Sequence, residues 1–440
     1  MGALTHPRLS RVFGSPVALP EGGGVVPQPL PMPQSVSSVI GFGDSITVGL
    51  NASDAAHRWL NIVSTALSAG DPLNQGISGT VLQRSADSTG SPRAQNGRDR
   101  FETALLGANK REMIFVSYGF NDARYIGAPT TFNVARYKND YRDVMNGLLA
   151  GGYTQDRICV VTPYYITDTG LVSSGGNAEF TGQSRAGFEE YVQAVMDIAT
   201  EFGVYLADPY SAMRDNGGAS LISNDNIHPT DNGHAVIATA VLAARRTPVR
   251  LPATMIFAQD SFTDTDGTNL SAHFSDSGSA WLGSTTSPVI NAGRVRSANA
   301  STTYRASGTP RSANYQVRAD FNSITDAGQS AIVARHDGAS TFYYVSYLAG
   351  TGFRLYKIVA GVSTQLGSTY AATIAAGSSR AVVLEVRGSA IKVLVDGVER
   401  ISVTDTDIAG PGRAGVRFQS TQAANTGIHL DNFVAETLAA

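Results

Sequence analysis

Apolar positions along the chain follow two different rhythms, and the change comes near residue 246. Between about residues 36 and 246, short apolar runs alternate with longer stretches in which apolar residues recur every three or four positions. The runs at 39–42, 113–116, 158–161 and 204–207 are apolar throughout, the pattern of strands buried on both faces of a parallel sheet. Phe188, Val192, Val195, Ala199 and Phe202 are spaced to form one stripe of a helix, and Gly203 stands where a left-handed C-cap would end it. Alternating strands and helices predict an open α/β sheet, in which ligands bind beyond the carboxyl ends of the strands.

Beyond residue 246 the helical rhythm stops. Pro248 and Pro252 interrupt any regular element, so 247–252 reads as a linker. Alternation of apolar and polar residues then takes over at 315–321, 331–335, 342–347, 353–358 and 391–395. Asp396-Gly397, between two such runs, is a hairpin signal. Many short strands separated by turns predict an all-β jelly-roll sandwich. Three segments follow: an extended arm at 1–34, an α/β domain at 35–248 and a β-sandwich at 249–440. Alternation places Tyr343 and Tyr347 on one face and Tyr344 on the other, so part of this cluster belongs to the core and part is free to stack on sugar. Asp264-Thr-Asp-Gly267 has the look of a calcium loop, but its glycine is fourth rather than sixth and no glutamate follows at the twelfth position. A plain turn, and no metal, is expected.

Composition narrows the classes of function. At 440 residues the chain exceeds what one hydrophobic core organises, in keeping with two domains. A net charge of -3, without any dense Lys/Arg run, removes the attraction on which nucleic-acid binding rests. Cys159 is the only cysteine, which excludes an intrachain disulfide, and its apolar neighbours make it a small core residue. No apolar run is long enough for a membrane span, and no secretory signal is visible at the start. The first segment instead carries Gly22, Gly23 and Gly24, then Pro27, Pro29, Pro31 and Pro33. It reads as an arm that attaches the chain to a larger assembly.

The chemistry lies in the first domain, where four stretches each follow a strand or precede a helix. Gly43-Asp-Ser45 comes directly after the first strand. By itself a serine there is as well explained as a helix cap. Asn74-Gln-Gly-Ile-Ser-Gly79 follows the second strand candidate, and a glycine there lets a backbone N–H approach a substrate oxygen. Gly119-Phe-Asn121-Asp122 follows the third strand. Asp225-Asn-Ile-His228 precedes a helix beginning near Thr230, and Pro229 keeps His228 out of helical geometry. Each is an ordinary turn taken singly. Together they supply a nucleophile, Ser45, a base, His228, and its orienting carboxylate, Asp225. The N–H groups of Ser45 and Gly79 and the amide of Asn121 complete an oxyanion hole, and no cofactor is required.

These four blocks, in this order, resemble the SGNH (GDSL-type) hydrolases. The resemblance implies a three-layer flavodoxin-like α/β/α fold with a parallel sheet and metal-free ester hydrolysis through an acyl-enzyme. It implies Ser45, Asp225 and His228 as catalytic residues, and substrates among acetylated sugars, lipids and thioesters. His234, beyond the base position, is expected to pack, and His57 to lie on the surface. The segment from Asp260-Ser-Phe262 to Asp431-Asn-Phe433 resembles a concanavalin-like (laminin-G-like) sandwich. No greasy lid segment is present, which favours a small acyl group on a polar carrier, and the loops at 124–129 and 164–170 are placed either to wall the site or simply to pack as ordinary loops. The expectation is a serine esterase that removes O-acetyl groups from a polysaccharide, with the sandwich holding the polymer. A homo-oligomer is expected, placed in a virion as a phage tail component or otherwise outside the cell. The alternative is a non-catalytic carbohydrate-binding adhesin.

Overall fold

The computed structural model describes residues 28–126, 131–180, 182–283, 286–299 and 301–439. Five parallel strands form the body of the first sheet: β1 (Val39–Gly43), β2 (Leu73–Gly76), β3 (Met113–Ser117), β4 (Ile158–Val161) and β5 (Tyr205–Ala207). All positions of β1 and β4 are buried, as strands covered on both faces must be. They run parallel in the order β2-β1-β3-β4-β5. This is the flavodoxin-like order, whose switch point lies between β1 and β3. Chains leaving those two strands turn to opposite faces, and the crevice between them opens at their carboxyl ends.

Helices cover both faces. Trp59–Ala66 packs against Asp231–Leu242, while Val134–Ala150 packs against Arg185–Phe202. The last of these is the expected stripe: Phe188, Val192, Val195, Ala199 and Phe202 are all buried. Ser184 caps its start, and Gly203, at φ 61°, ends it. Cys159 is fully buried in β4, and burial pushes its thiol well above the usual range, so it serves as core.

Two features depart from the expected boundaries. Leu30–Pro31 pairs antiparallel with Arg245–Arg246, which continues the sheet beyond β5, and Met32 is buried. Residues read as the end of a free arm therefore belong to the sheet. Proline restricts the residue before it to extended geometry, so Leu30 suits an edge strand that has few bonds to make. The rest of the expected arm, 1–27, lies outside the described residues. In addition, Asn74 and Gln75 lie within β2, so only 77–79 of that block follow the strand.

The second region is a sandwich of two antiparallel sheets. One contains Tyr315–Ser323, Ser379–Arg387, Ala390–Val395, Val398–Thr404 and Ile428–Thr437. The other contains Thr302–Ala306, Gln329–His336, Phe342–Leu348, Gly352–Val359, Val362–Tyr370 and Arg413–Phe418. Its first strand, Met255–Asp260, pairs with its last, Ile428–Thr437, which closes the unit. Asp396 and Gly397 take positive φ of 51° and 77° at the tip of a hairpin, the geometry a two-residue type I′ turn demands. Tyr343 and Tyr347 are buried in the inter-sheet core, while Tyr344 joins Phe342 and Ile358 in a separate cluster on the outer face of its sheet. All three are buried, so none of the cluster, Tyr344 included, is available for stacking on sugar. Asp264 spends its carboxylate on His273 and on the Thr265 N–H, as a turn residue does.

The two regions have separate hydrophobic cores joined by a polar seam. Arg98 pairs with Asp143 at 2.9 Å, and Asp143 accepts from the Thr309 N–H at 3.0 Å. Arg98 and Arg413 both donate to the Ser307 carbonyl, and Arg413 also pairs with Glu102. Each buried charge has a partner, so removing one would strand the other at a cost of several kcal/mol.

Candidate active site

Gly43 lets β1 reach the site. A Cβ there would lie 2.4 Å from the Ser117 carbonyl oxygen of β3 and 2.1 Å from Thr47 Oγ1. Asp44, extended at φ -99°, then caps the one-turn helix Ser45–Val48 by accepting the Ile46 N–H at 2.9 Å. The cap is Asp44 and not Ser45, which leaves the serine hydroxyl unused by its own helix. That hydroxyl lies 2.9 Å from His228 Nε2.

His228 Nδ1 is 2.6 Å from Asp225 Oδ2. The network assigns the protons: Asp225 accepts from Nδ1–H, so Nε2 is the acceptor that faces Ser45. Four further donors converge on the Asp225 carboxylate. Oδ1 accepts from the backbone N–H groups of Ile227 (2.8 Å) and His228 (2.9 Å) and from Ser223 Oγ (2.7 Å), and Oδ2 accepts from Asn51 Nδ2 (3.0 Å). Partial burial pushes this carboxyl up, but the bonds from His228, Ser223 and the two N–H groups outweigh it and hold the carboxyl well below the usual range. Asp225 is thereby kept ionised and fixed in orientation.

Several residues that hold this arrangement carried no sequence signal of their own. Asn51, at φ 66°, also donates to Ser223 Oγ at 2.7 Å. His234 Nε2 donates to the Leu50 carbonyl at 3.1 Å, so it packs as expected and fastens the segment that carries Asn51. His57 is exposed beside Asp54, also as expected. Tyr164, on one of the two loops placed to wall the site or to pack, is buried: its ring stacks on Phe120 at 4.7 Å and its hydroxyl donates to the Ile227 carbonyl between Asp225 and His228. Arg124 is buried too, over the Phe120 ring, and donates to the Ser173 carbonyl. Both side chains brace the site from behind instead of walling it, because their polar ends find backbone carbonyls inside the fold. Residues 127–129 of the other loop lie outside the described residues.

The oxyanion residues sit on two segments tied to each other. The Ile77 N–H donates to the Gly43 carbonyl at 3.0 Å, which fastens the turn after β2 to the end of β1. Gly79 takes φ 72°, in the left-handed region that glycine enters without strain, and no atom lies within 4 Å of where a Cβ would stand. Among the described residues, neither the Ser45 nor the Gly79 N–H has an acceptor. Asn121, in the short helix Phe120–Arg124, donates one amide proton to the Thr80 carbonyl at 2.9 Å, so the other remains for a ligand. Asp122 accepts from the Leu82 and Gln83 N–H groups at 2.8–3.0 Å and pins the same loop. Asn121→Ala removes a donor and loosens the Thr80 tie. A fall in kcat of about 10^2- to 10^3-fold on an acetate ester is expected, read by steady-state kinetics.

Two carboxyls behind the site are buried in a way that makes stability depend on pH. Burial pushes Asp44 from 3.8 to about 7 and Asp122 to about 6. For an acid raised in the folded state, the native form holds protons that the unfolded chain has released. The contribution is therefore fully present below pH 4 and is lost as pH rises toward 7. Asp44→Asn keeps the acceptor for Ile46 but cannot ionise. It is expected to raise stability relative to the wild type at pH 8, by on the order of 2–4 kcal/mol, and to leave it unchanged near pH 4. Urea unfolding at the two pH values checks this.

Cavities of about 630 and 500 Å³ lie at the junction of the two regions and are not lined by Ser45, Asp225 or His228. The site is thus marked by geometry and not by cavity size. Among the described residues no group of three His, Cys, Asp or Glu side chains is placed to hold a metal ion, and no helix is long and apolar enough to cross a membrane.

Comparison with known proteins bears on the same segment. Residues 42–236 match the model of the GDSL-like lipase/acylhydrolase family. No curated protein sequence matches the chain. Among solved structures, the chain is similar to a two-domain esterase active on acetylated mannans, with 13% identity, a TM-score of 0.30, and coverage of 92% of this chain and 91% of that one. It is similar to a carbohydrate acetylesterase family member from Sinorhizobium meliloti, with 16% identity, a TM-score of 0.37, and coverage of 47% and 95%. It is also similar to a carbohydrate-binding module, CBM66, from Bacillus subtilis, with 16% identity, a TM-score of 0.31, and coverage of 36% and 95%. Identities of this size say nothing about chemistry. The family model spans the segment that carries Ser45, Gly79, Asn121, Asp225 and His228, and it is through that segment that the chain is similar to the GDSL-like lipase/acylhydrolase family.

Proposed function

We propose that the chain is a serine esterase working through an acyl-enzyme, and that it removes small O-acyl groups, acetyl above all, from a polysaccharide. The observation that carries this reading is the unbroken line of hydrogen bonds from Ser45 through His228 to Asp225, 2.9 Å and then 2.6 Å. As Ser45 Oγ attacks the ester carbonyl, its proton passes to His228 Nε2, and the ionised Asp225 stabilises the imidazolium that results. The negative charge on the former carbonyl oxygen falls to the N–H groups of Ser45 and Gly79 and to the free Asn121 proton, donors already fixed before reaction. His228 then protonates the leaving sugar hydroxyl, and a water activated by the same ring releases the acid.

A small acyl group on a polar carrier is supported by Tyr164 and Phe120, which are buried against each other behind the triad and are not open to an acyl chain. Hydrolysis of p-nitrophenyl esters from acetate to octanoate tests the reading. The acetate ester should have the highest kcat/KM, with a decline along the series. A preference for octanoate would overturn the small-acyl claim, and no hydrolysis of any ester would overturn the enzyme.

A further inference from the structure

We propose that the cleft between the α/β domain and the sandwich binds an anionic stretch of polysaccharide, held by the guanidinium groups of Arg305 and Arg417 beside the stacked rings of Phe342 and His336. This rests on the reading that the substrate is a polysaccharide, and it names the class of polymer.

The 630 Å³ cavity lies within the range of small-ligand sites and is lined from both sides of the junction, by Arg84 and Asp99 of the first domain and by Arg305, Arg417, His336 and Phe342 of the second. The 500 Å³ cavity shares Arg305 and His336, so the cleft continues past them. Its charges are unequally satisfied. Arg84 pairs with Asp99 at 3.1 Å. Arg413 takes Glu102, and Asp337 is occupied by the Ala339 and Thr341 N–H groups. Arg417 uses Nη1 on Thr303 Oγ1 at 2.7 Å, while its Nε is buried without a partner. The half-buried Arg305 side chain makes no hydrogen bond or ion pair among the described residues, although the Glu102, Asp99 and Asp337 carboxylates lie near enough to favour its charge. His336 adds no charge: burial pushes it down to about 4, and its Nδ1 accepts from the Gly338 N–H.

Both side chains are half-buried, and they keep donors to spare. A carboxylate or sulfate fits the guanidinium fork in two-point fashion. A cavity of about 630 Å³ argues for a sugar over a bare ion. His336 stacks on Phe342 at 4.7 Å, with 11° between planes, and Arg417 lies over the Phe342 ring at 5.7 Å; the two rings are buried and support the Arg417 side chain. Position argues for a polymer. Arg84 is five residues from Gly79, so their Cα atoms are at most about 18 Å apart, and a chain seated in the cleft remains within reach of Ser45.

Isothermal titration of the full chain with unacetylated oligosaccharides tests this. Oligogalacturonate supplies carboxylates, a heparin-derived oligosaccharide supplies sulfates, and a mannan oligosaccharide is neutral. At least one anionic probe is expected to bind, more weakly as salt is raised, and the neutral probe far less; which anionic probe binds tells a uronate from a sulfate ester. Arg305→Gln and Arg417→Gln should each weaken binding by about 10-fold or more while leaving p-nitrophenyl acetate hydrolysis unchanged, which also shows that the variants are folded. Equal binding of the neutral probe, equal binding by Arg305→Gln and wild type, or no binding at all would overturn the proposal. If the acetate ester is hydrolysed and no probe binds, the cleft assignment falls and the esterase stands. If binding depends on Arg305 and the ester is untouched, the esterase falls and the cleft stands.

Discussion

Ser45→Ala should lower kcat/KM on p-nitrophenyl acetate by about 10^4-fold or more, a loss of on the order of 5–6 kcal/mol of transition-state stabilisation. Without Oγ, His228 and the oxyanion donors stay in place but have no nucleophile to activate, and only slow attack by water remains. The expectation is sharp because the same substitution should hardly touch the fold. Asp44, and not Ser45, caps the helix Ser45–Val48, and alanine is the best helix former at the vacated position. An unfolding midpoint within about 0.5 kcal/mol of the wild type would separate lost chemistry from lost structure. Equal rates for variant and wild type would leave the non-catalytic adhesin as the better reading of the chain.

Asp225→Asn is expected to cost about 10^3- to 10^4-fold in kcat with a much smaller change in KM. The carboxylate takes five donors: His228 Nδ1–H, the N–H groups of Ile227 and His228, Ser223 Oγ and Asn51 Nδ2. An amide has one acceptor atom, so its NH2 must face donors or turn to the imidazole. Facing His228, it would favour the tautomer with the proton on Nε2, which cannot take the serine proton. The pH signature differs in sign from that of Asp44. A carboxyl held below its free value stabilises the fold above pH 4, and this contribution is lost as pH falls through the folded value. The asparagine variant should lack that acid-side loss. Urea unfolding on the acid side of pH 4, with single-turnover kinetics at neutral pH, reads the two effects separately.

How much of this the chain declared in advance follows from where each signal lies. Strands β1, β3 and β4 were legible because burial on both faces demands continuous apolar runs. β2 was placed only loosely, because Leu-Asn-Gln-Gly is polar and half-buried, and its pairing with β1 makes it a strand. The edge pair Leu30–Pro31 and Arg245–Arg246 is too short for any periodicity to show. Ser45, Gly79, Asn121, Asp225 and His228 could be read because each follows a strand or precedes a helix, where turn residues stand out. Asn51 could not, since it reaches Ser223 and Asp225 across 172 and 174 positions of sequence, a closeness created by the fold. Tyr164 and Arg124 left two readings open for a related reason: an aromatic or a cation in a loop suits a site wall as well as packing until its polar end finds a carbonyl inside. The cleft holding Arg305 exists only where two separately folded regions meet.

The central claim is that Ser45 is the atom acylated during turnover, and covalent trapping tests it most directly. Treatment with diisopropyl fluorophosphate followed by intact-mass and peptide mass spectrometry should show a single adduct, on the peptide that contains Ser45, with esterase activity falling in step with labelling and no adduct on Ser45→Ala. Full inactivation with the adduct on another residue, or undiminished turnover in protein whose Ser45 is fully labelled, would contradict it.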